Sequence, residues 1–331
     1  MTENRYDSAF LVIQVKEDGA ATMSANYPSD VTDEQWQVLR KLLPERARLG
    51  RPPIDRRRVI NAVLYLNRAG CQWRMLPLEY PKWKTVYTIF RRWRLDGVWR
   101  RLNEALVQMV RKAAGKKPTP SATILDSQSI RTAEGGECRG YDGGKKITGR
   151  KRHLAVDTLG LIWAVVVHGA DWQDYEGGHF VLAKLRNLGR LKVVFADSIY
   201  GRCGLPEWVN ETFGWILQTV LRPVFAQGFV VLPKRWIVER TFAWISRCRR
   251  HSKDYERTTE SSEAMIYITM IALMSRRLAR TSFRTLYLLA KQGRSLLRIS
   301  DYKEVTDVQC PHSRSVERFR GSQDGTQAGT H

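Results

Sequence analysis

Apolar residues in the first third of the chain recur at helical intervals and predict three or four short helices. The segment SDVTDEQWQVLRKLLP predicts a helix that is capped by Thr32 and stopped by Pro44. A second helix is predicted between Asp55 and Gly70, and a third from about Pro81. The tryptophans of these segments are interpreted as core residues, because they fall on the apolar sides of the helices.

The pattern changes after residues 113–120, a charged linker that is broken by two prolines. Short β-branched runs then predict strands, beginning with TILDSQSI, HLAVDTLG and IWAVVVHGA. A helix from about Glu176 to Leu188 and the strands LKVVFAD and FVVLP follow, and two helices, RWIVERTFAWI and AMIYITMIALMSRRL, come last. Strands first, then mixed helices and strands, predict an α+β fold with a mixed sheet.

Basic residues outnumber acidic residues by 55 to 33, which gives a net charge of +22. This excess favours a polyanionic partner, because each basic contact to a phosphate releases condensed counterions. An anionic membrane surface could attract the same charge, but no apolar run reaches the ~20 residues that span a bilayer. Nucleic acid is therefore the predicted partner, and the alternative is a basic protein whose charge is merely solvated.

The five cysteines are scattered, and none forms the close pairs that zinc sites use. They are interpreted as reduced thiols. The first residues lack the basic and apolar segments of a secretory signal. Both observations predict a cytoplasmic protein.

Three acidic residues suit metal-dependent chemistry on a phosphodiester. Asp126 and Asp197 each close a short apolar run that predicts a buried strand, and Glu239 lies in an arginine-flanked helical stretch. Phosphodiester cleavage needs an activated nucleophile and charge neutralisation, which two Mg²⁺ ions held by a few carboxylates provide. We predict that these three acids are catalytic and hold two Mg²⁺ ions, with Mn²⁺ as the alternative.

Asp126 and Glu239 also have structural interpretations. Asp126 could cap a turn with its own side chain, and Glu239 could form a surface ion pair with a neighbouring arginine. The catalytic interpretation of Glu239 requires that its neighbours face the core, namely Trp236, Ile237 and Ala243.

Four further polar residues are ambiguous. Asp157 precedes a turn and is interpreted as structural, while Asp171 and Asp174 are predicted to cap the next helix or to supply an auxiliary acid. His153 follows a basic run, so it could contact DNA or pack against a neighbouring strand.

Three groups of basic residues are predicted to contact DNA, although such groups are commonly only solvated. The first group lies on the third predicted helix and makes the N-terminal helices typical of a helix-turn-helix-like unit. The second lies between the first two predicted strands, and the third surrounds Glu239. In chain order the candidates are Lys82, Lys84, Arg91, Arg92, Arg94, Lys145, Lys146, Arg150, Lys151, Arg152, His153, Arg235, Arg240 and Arg247.

Four ordered blocks carry a resemblance to a known family. They are GRPPIDRRRVINAVLYLNRAGCQWRMLP, DSQSIRTAEGGECRGYDGGKKITGRKRHLAVDTLGLIWAVVVHGAD, FADSIYG and RWIVERTFAWISRCRRHSKDYE. From about Ser29 to Leu278 the chain resembles bacterial insertion-sequence transposases of the IS-five group. The resemblance places the family's DDE triad on Asp126, Asp197 and Glu239, and its arginine four positions before the glutamate on Arg235.

The resemblance implies a ribonuclease-H-like catalytic domain after an all-helical domain. We expect an unmatched and disordered extension at 1–26, with Met23 as a plausible true start, a DNA-binding domain at 27–112 and a linker at 113–120. The catalytic domain is expected at 121–280, and a weakly ordered tail at 281–331.

The resemblance further implies a transposase that binds its element's terminal inverted repeats, hydrolyses phosphodiesters there and joins the freed 3′-OH to target DNA. Because two ends are joined in concert, a homodimer on double-stranded DNA is expected, without a membrane and near the nucleoid. The alternatives are an inactive or domesticated DNA-binding protein, and a metal-dependent nuclease that does not join strands.

Overall fold

The structure is a computed structural model that describes residues 13–14, 22–23, 27–44, 54–220 and 234–291. The chain divides into a compact unit, Met1–Thr285, and a second unit that begins at Leu286. The fold and sites considered below belong to the first unit. No helix in the described ranges is long and apolar enough to cross a membrane.

Four helices form the N-terminal region: α1 (Asp33–Arg40), α2 (Arg56–Ala69), α3 (Trp83–Leu95) and α4 (Val98–Ala113). Their ends follow local chemistry. The Thr32 side chain accepts from the backbone of Gln35, and the Asp55 side chain accepts from Arg57, so each satisfies an N–H at a helix start. At the end of α2, Gly70 has φ 75°, and a Cβ there would lie 2.9 Å from the Cβ of Arg249. Only glycine fits this position.

The predicted helices of this region are confirmed within a few residues. Trp93 and Trp99 are buried, and Trp36, Trp73 and Trp83 pack at the margin of the same core. The interpretation of these tryptophans as core residues is therefore confirmed.

Before these helices in the chain, β1 (Ile13–Gln14) pairs with β2 (Thr22–Met23). One mixed sheet follows the helices. It contains β3 (Ala122–Arg131), β4 (Gly140–Asp142), β5 (Ile147–Val156), β6 (Ile162–Gly169), β7 (Val193–Asp197) and β8 (Ile216–Val220). β5 pairs antiparallel with β3, β4 and β6, whereas β3–β7 and β7–β8 are parallel. The predicted α+β class with a mixed sheet is confirmed.

The parallel pair at the centre of the sheet determines where the first two acids lie. Ile124 pairs with Phe195, so two residues further along each strand reach Asp126 and Asp197 side by side. Asp126 is not at a strand end as predicted, because β3 continues along β5 as far as Arg131. The apolar run stops at Asp126 because the strand is less buried beyond it, while backbone pairing persists.

Helices cover both faces of the sheet: α5 (Asp174–Lys184), α6 (Leu205–Phe213), α7 (Arg235–Ser246) and α8 (Thr259–Lys291). α5 contacts Ser127 through Asp174, and α7 contacts the adjacent Asp126 through Arg235. Since successive strand residues point to opposite faces, α5 and α7 lie on opposite sides of β3.

Several predicted boundaries differ from the structure. The helix predicted at 176–188 runs from 174 to 184, while α6, β8 and the short β4 have no predicted counterpart. The last apolar helix continues to Lys291, into the segment predicted to be a weakly ordered tail. The predicted strand FVVLP lies outside the described residues. Within 1–26, β1 pairs with β2.

Buried polar contacts join the helical region to the sheet and to α8. Asn103 donates to the carbonyl of Ile162 at 2.8 Å, and Asn67 donates to Thr269 at 2.8 Å. In the β5–β6 turn, the fully buried Asp157 accepts from the backbone of Leu159 and from Arg111 on α4, the latter at 2.5 Å. The structural interpretation of Asp157 is thereby confirmed.

Asp157→Ala is expected to lower the free energy of unfolding by about 3–5 kcal/mol, because it leaves Arg111 buried without a counter-charge. Urea unfolding followed by circular dichroism measures the change. The control is Arg100→Ala, which removes an exposed pair with Glu104 at 3.9 Å and should cost less than about 0.5 kcal/mol. Equal losses for the two variants would contradict a special role for the buried pair.

Candidate active site

Two aspartates on neighbouring parallel strands share one arginine. Arg235, the first residue of α7, lies 3.2 Å from Oδ2 of Asp197 through Nη1 and 3.8 Å from Oδ2 of Asp126 through Nη2. The side chains of Asp126 and Asp197 are 15% and 34% exposed, so both are accessible from one side only. The guanidinium balances two negative charges that the sheet holds close together.

The Asp126 carboxyl has an unusual affinity for a proton. Its pKa is raised to about 6, mainly by burial and to a smaller extent by the charges of Asp197 and Glu239. The backbone N–H of Ser127, which donates to Oδ1 at 2.8 Å, and the Arg235 cation oppose this rise. Asp126 therefore needs a nearby positive charge to be fully ionised at neutral pH.

Asp197 is held by the residue that follows it. Its Oδ1 accepts from the backbone N–H of Ser198 at 2.5 Å and from the Ser198 hydroxyl at 3.1 Å. These bonds fix one carboxylate oxygen and leave Oδ2 to Arg235.

Glu239 lies one helical turn after Arg235 on α7 and is exposed. The expectation that its neighbours face the core is only partly right. Ile237 is buried, but Trp236 is 43% exposed and Ala243 is exposed. The buried stripe of α7 runs through Val238, Thr241, Phe242 and Ile245, so the exposed residue 239 lies beside this stripe, on the same side of the helix as Arg235. Its charge still reaches Asp126, because it contributes to the raised pKa there.

The start of α7 is strained. Lys234 has φ 67°, a left-handed conformation that side chains with a Cβ rarely adopt. Its ammonium lies 3.5 Å from the centroid of the Phe195 ring on β7. This contact anchors the residue directly before Arg235 to the strand that carries Asp197.

A divalent metal ion needs several oxygen ligands around one point. In the part of the chain that the structure describes, no three or more His, Cys, Asp or Glu side chains are arranged to hold a metal ion. The chemistry nevertheless fits, because the oxygen donors of Asp126 and Asp197 already share a cation and Glu239 lies within electrostatic range. Hard divalent ions such as Mg²⁺ prefer these carboxylate oxygens.

A polar network that the sequence patterns did not reveal lies on the other face of β3. The Ser127 hydroxyl donates to Asp174 at 2.9 Å, and Lys151 pairs with the same carboxylate oxygen at 2.9 Å. Asp174 was expected to cap α5, but the cap is Gln173, and Asp174 instead begins the helix and points at the sheet. The serine directly after Asp126 in the sequence was the available signal.

His153 packs inside the protein. Its Nδ1 lies 2.9 Å from the Tyr200 hydroxyl, and its ring stacks on His168 at 4.9 Å between centroids. Burial holds the pKa of both histidines below the usual value. A Cβ at Gly177 would lie 2.3 Å from His153 Nε2, so this glycine lets α5 approach the pair. The packing interpretation of His153 is confirmed.

Four of the side chains that were predicted to contact DNA are buried in the structure: Arg150, Lys151, Arg152 and His153. Arg150 pairs with Asp254 at 3.2 Å and donates to the carbonyl of Glu256 at 2.8 Å. Arg152 lies 3.9 Å from the same Asp254. These arginines hold the segment before α8 against the sheet. A run of basic residues in a strand does not distinguish this role from a solvent-exposed one.

The remaining predicted basic residues differ in accessibility. The exposed ones are Lys82, Lys84, Arg91, Arg92, Lys145, Lys146 and Arg247. Arg94 is 14% exposed and pairs with Glu260 at 3.4 Å. Arg240 lies over the rings of Trp236 and Trp244, at 4.6 and 4.8 Å from their centroids. Only the exposed set is directly available to a polyanion.

In the metal-free protein, Asp126→Asn is expected to raise stability at about pH 7.5 by about 2 kcal/mol. Because the folded pKa lies above the unfolded value of 3.8, the native state binds the proton more tightly between the two values. Wild-type stability therefore falls as pH rises from about 4 to about 6, and the asparagine variant lacks this slope. Urea titrations in EDTA at several pH values measure it. Glu211→Gln, an exposed change on α6, should leave the slope intact; an unchanged slope in Asp126→Asn would contradict the assignment.

Comparison with known proteins agrees with this geometry. Residues 31–103 match the family model for transposases of the IS4/5 family, and residues 117–275, which include all three acids, match the transposase DDE domain. The chain is also 32% identical over 114 residues to the uncharacterized 16.2 kDa protein of insertion element IS402 from Burkholderia cepacia, a match that covers 32% of this chain and 76% of that protein.

DDE domains belong to a class of nucleotidyl-transfer enzymes that generally use divalent metal ions. The mixed sheet and the domain match together confirm the ribonuclease-H-like fold. The chain belongs to the IS4/IS5 family of DDE transposases.

Proposed function

We propose that this transposase cuts DNA at the terminal inverted repeats of its own insertion sequence and joins the freed 3′ ends to target DNA. The observation that carries the proposal is the pair Asp126 and Asp197, held side by side by parallel strands and sharing the Arg235 cation, with Glu239 one turn further along α7. A fixed cluster of carboxylates on a strongly basic chain suits chemistry on a phosphodiester.

Asp126 and Asp197 would hold two divalent ions, Mg²⁺ or Mn²⁺, and Glu239 would complete the coordination of one. Such ions, when bound, activate the attacking oxygen and neutralise the charge of the transition state and the leaving oxygen. The chain's own contribution is position: the paired strands fix the aspartates, and α7 brings Arg235 and Glu239 to the same edge. In the first step water attacks the phosphorus, the bond from phosphorus to the 3′ oxygen breaks, and the products are a free 3′-OH and a 5′-phosphate. In the second, the new 3′-OH attacks a target phosphate, and the target's 3′ oxygen leaves.

Two groups of exposed basic residues support the proposed DNA binding. Lys82, Lys84, Arg91 and Arg92 lie on the solvent side of α3, and Lys145 and Lys146 lie in the β4–β5 turn. Contacts of such residues with phosphates position a protein on the duplex but do not select a base sequence. Since two ends are joined in concert, we infer a homodimer on double-stranded DNA, acting at the nucleoid in the cytoplasm.

The direct test is incubation of the protein with Mg²⁺ and a duplex that carries the end of its element, followed by separation of the products on a denaturing gel. Wild type should give nicked and strand-transfer products. Asp126→Asn, Asp197→Asn and Glu239→Gln should each lower the rate at least ~100-fold, because each removes a ligand or charge from the site. Retained binding of the duplex shows that the variants are folded.

Glu211→Gln is the control, because it removes an exposed acid of α6 without touching the site. Nicking without transfer by wild type would favour a nuclease, and binding without nicking would favour an inactive or domesticated DNA-binding protein. Full activity in all three site variants would overturn the catalytic assignment.

Arg235 and a metal ion should compete for the two aspartates. In the absence of DNA, Arg235→Gln is therefore expected to bind Mn²⁺ about fivefold more tightly than wild type, which corresponds to about 1 kcal/mol. Calorimetric titration measures the affinity. Arg247→Gln removes an exposed arginine near the end of the same helix and should bind as wild type does. Weaker binding in Arg235→Gln alone would show that the arginine supports the ion instead of competing with it.

A further inference from the structure

A cleft of about 600 Å³ opens between α3 and the segment that leads into α8. One wall contains Trp73, Trp83 and Tyr87, and the other contains residues 255–258 and Arg250. None of the three acids lines it, and neither does Arg235. The cleft is therefore separate from the candidate active site.

Aromatic rings are open to solvent inside this cleft. Tyr87 on one wall is 41% exposed, and Tyr255 on the other is 42% exposed. Tyr87 is supported from behind by Trp73, whose ring centroid lies 5.2 Å away at a steep angle. Trp73 in turn packs on the buried Phe90 at 5.1 Å. The exposed ring of Tyr87 is thus packed on the core of the helical region, so it loses little conformational freedom when it binds a planar group.

The cleft also carries an excess of positive charge. Five arginines and two glutamates line it. Both glutamates are already neutralised: Glu137 pairs with Arg257 at 3.0 Å, and Glu256 pairs with Arg250 at 2.7 Å.

Two of the other arginines are open to an anion. Neither Arg74 nor Arg91 has an ion-pair partner within the described ranges, and both are exposed. The Arg74 guanidinium lies 5.4 Å from the centroid of the Trp83 ring, so a cation and an aromatic face are presented together.

We propose that this cleft binds unpaired nucleotides of a DNA strand, with bases against Tyr87 and Tyr255 and phosphates at Arg74 and Arg91. The proposal rests on the proposed action on DNA and names a second site for that substrate. A duplex offers a protein only its backbone and the edges of its bases, whereas a base that has left the stack offers its face. Exposed rings in a concave, cationic cleft match the second kind of ligand.

The charge pattern also separates this ligand from an acidic peptide. Carboxylates would satisfy the arginines but leave the aromatic faces unused, so a peptide would bind through charge alone. A single strand uses both features, because its phosphates and bases alternate along one chain.

The test measures binding of a fluorescein-labelled oligothymidylate of about 12 nucleotides by anisotropy, without added metal. Tyr87→Leu and Tyr255→Leu should each weaken binding by about 5-fold to about 100-fold, while Tyr87→Phe and Tyr255→Phe, which keep the rings, should bind as wild type does. Arg91→Gln should weaken binding and reduce its salt dependence, because one phosphate contact is lost.

Two matched controls locate the effect. Arg92 is as exposed as Arg91 and adjacent on α3 but does not line the cleft, so Arg92→Gln should change binding of the oligonucleotide less than Arg91→Gln does. Tyr141 is exposed on β4, away from the cleft, and Tyr141→Leu should have no effect.

Wild-type affinity in both leucine variants, with duplex binding intact, would overturn the cleft proposal alone. Equal competition by polyglutamate would also overturn it, since charge would then explain the binding. If wild type bound neither the oligonucleotide nor an element-end duplex, both this proposal and the proposed function would be overturned.

Discussion

Parallel pairing of β3 with β7 brings Asp126 and Asp197 together, and the repulsion between their charges governs the surroundings of the site. Burial makes the ionised form of Asp126 costly, so a cation must lie close by. This cation is Arg235, the first residue of α7. The strained backbone of Lys234 and its contact with Phe195 hold that helix start against β7. A divalent ion at this edge, as proposed above, would supply positive charge in the same place as Arg235.

A second set of charges holds the scaffold together. Arg150 and Arg152 converge on Asp254 inside the protein, and Arg111 reaches Asp157 from the helical region. Buried pairs of this kind add little net stability, but loss of one partner is costly, so they fix the relative positions of the segments that they join. These contacts hold residues 254–257 against β5, and residues 255–258 form one wall of the cleft beside α3.

The positive charge of the chain consequently serves two purposes. Part of it is internal and structural, as in the consecutive residues 150–152 of β5. The rest is exposed on α3, in the β4–β5 turn and at the end of α7, and Arg91 of this set lines the aromatic cleft. Net charge alone indicates a polyanionic partner, whereas the burial of individual arginines decides which of them can meet it.

The sequence by itself determined the features that depend on neighbouring residues. Asp55 and Gly70 mark the two ends of α2, because helix capping and left-handed backbone are local requirements. The apolar runs that end in Asp126 and Asp197 predicted two strands and two acids of the candidate site. Tertiary structure decided what depends on distant partners. It buried Arg150 against Asp254 and placed Arg235 between the aspartates. A charged residue has the same local pattern in a solvated strand and in a buried ion pair, because only the fold supplies the counter-charge that makes burial possible.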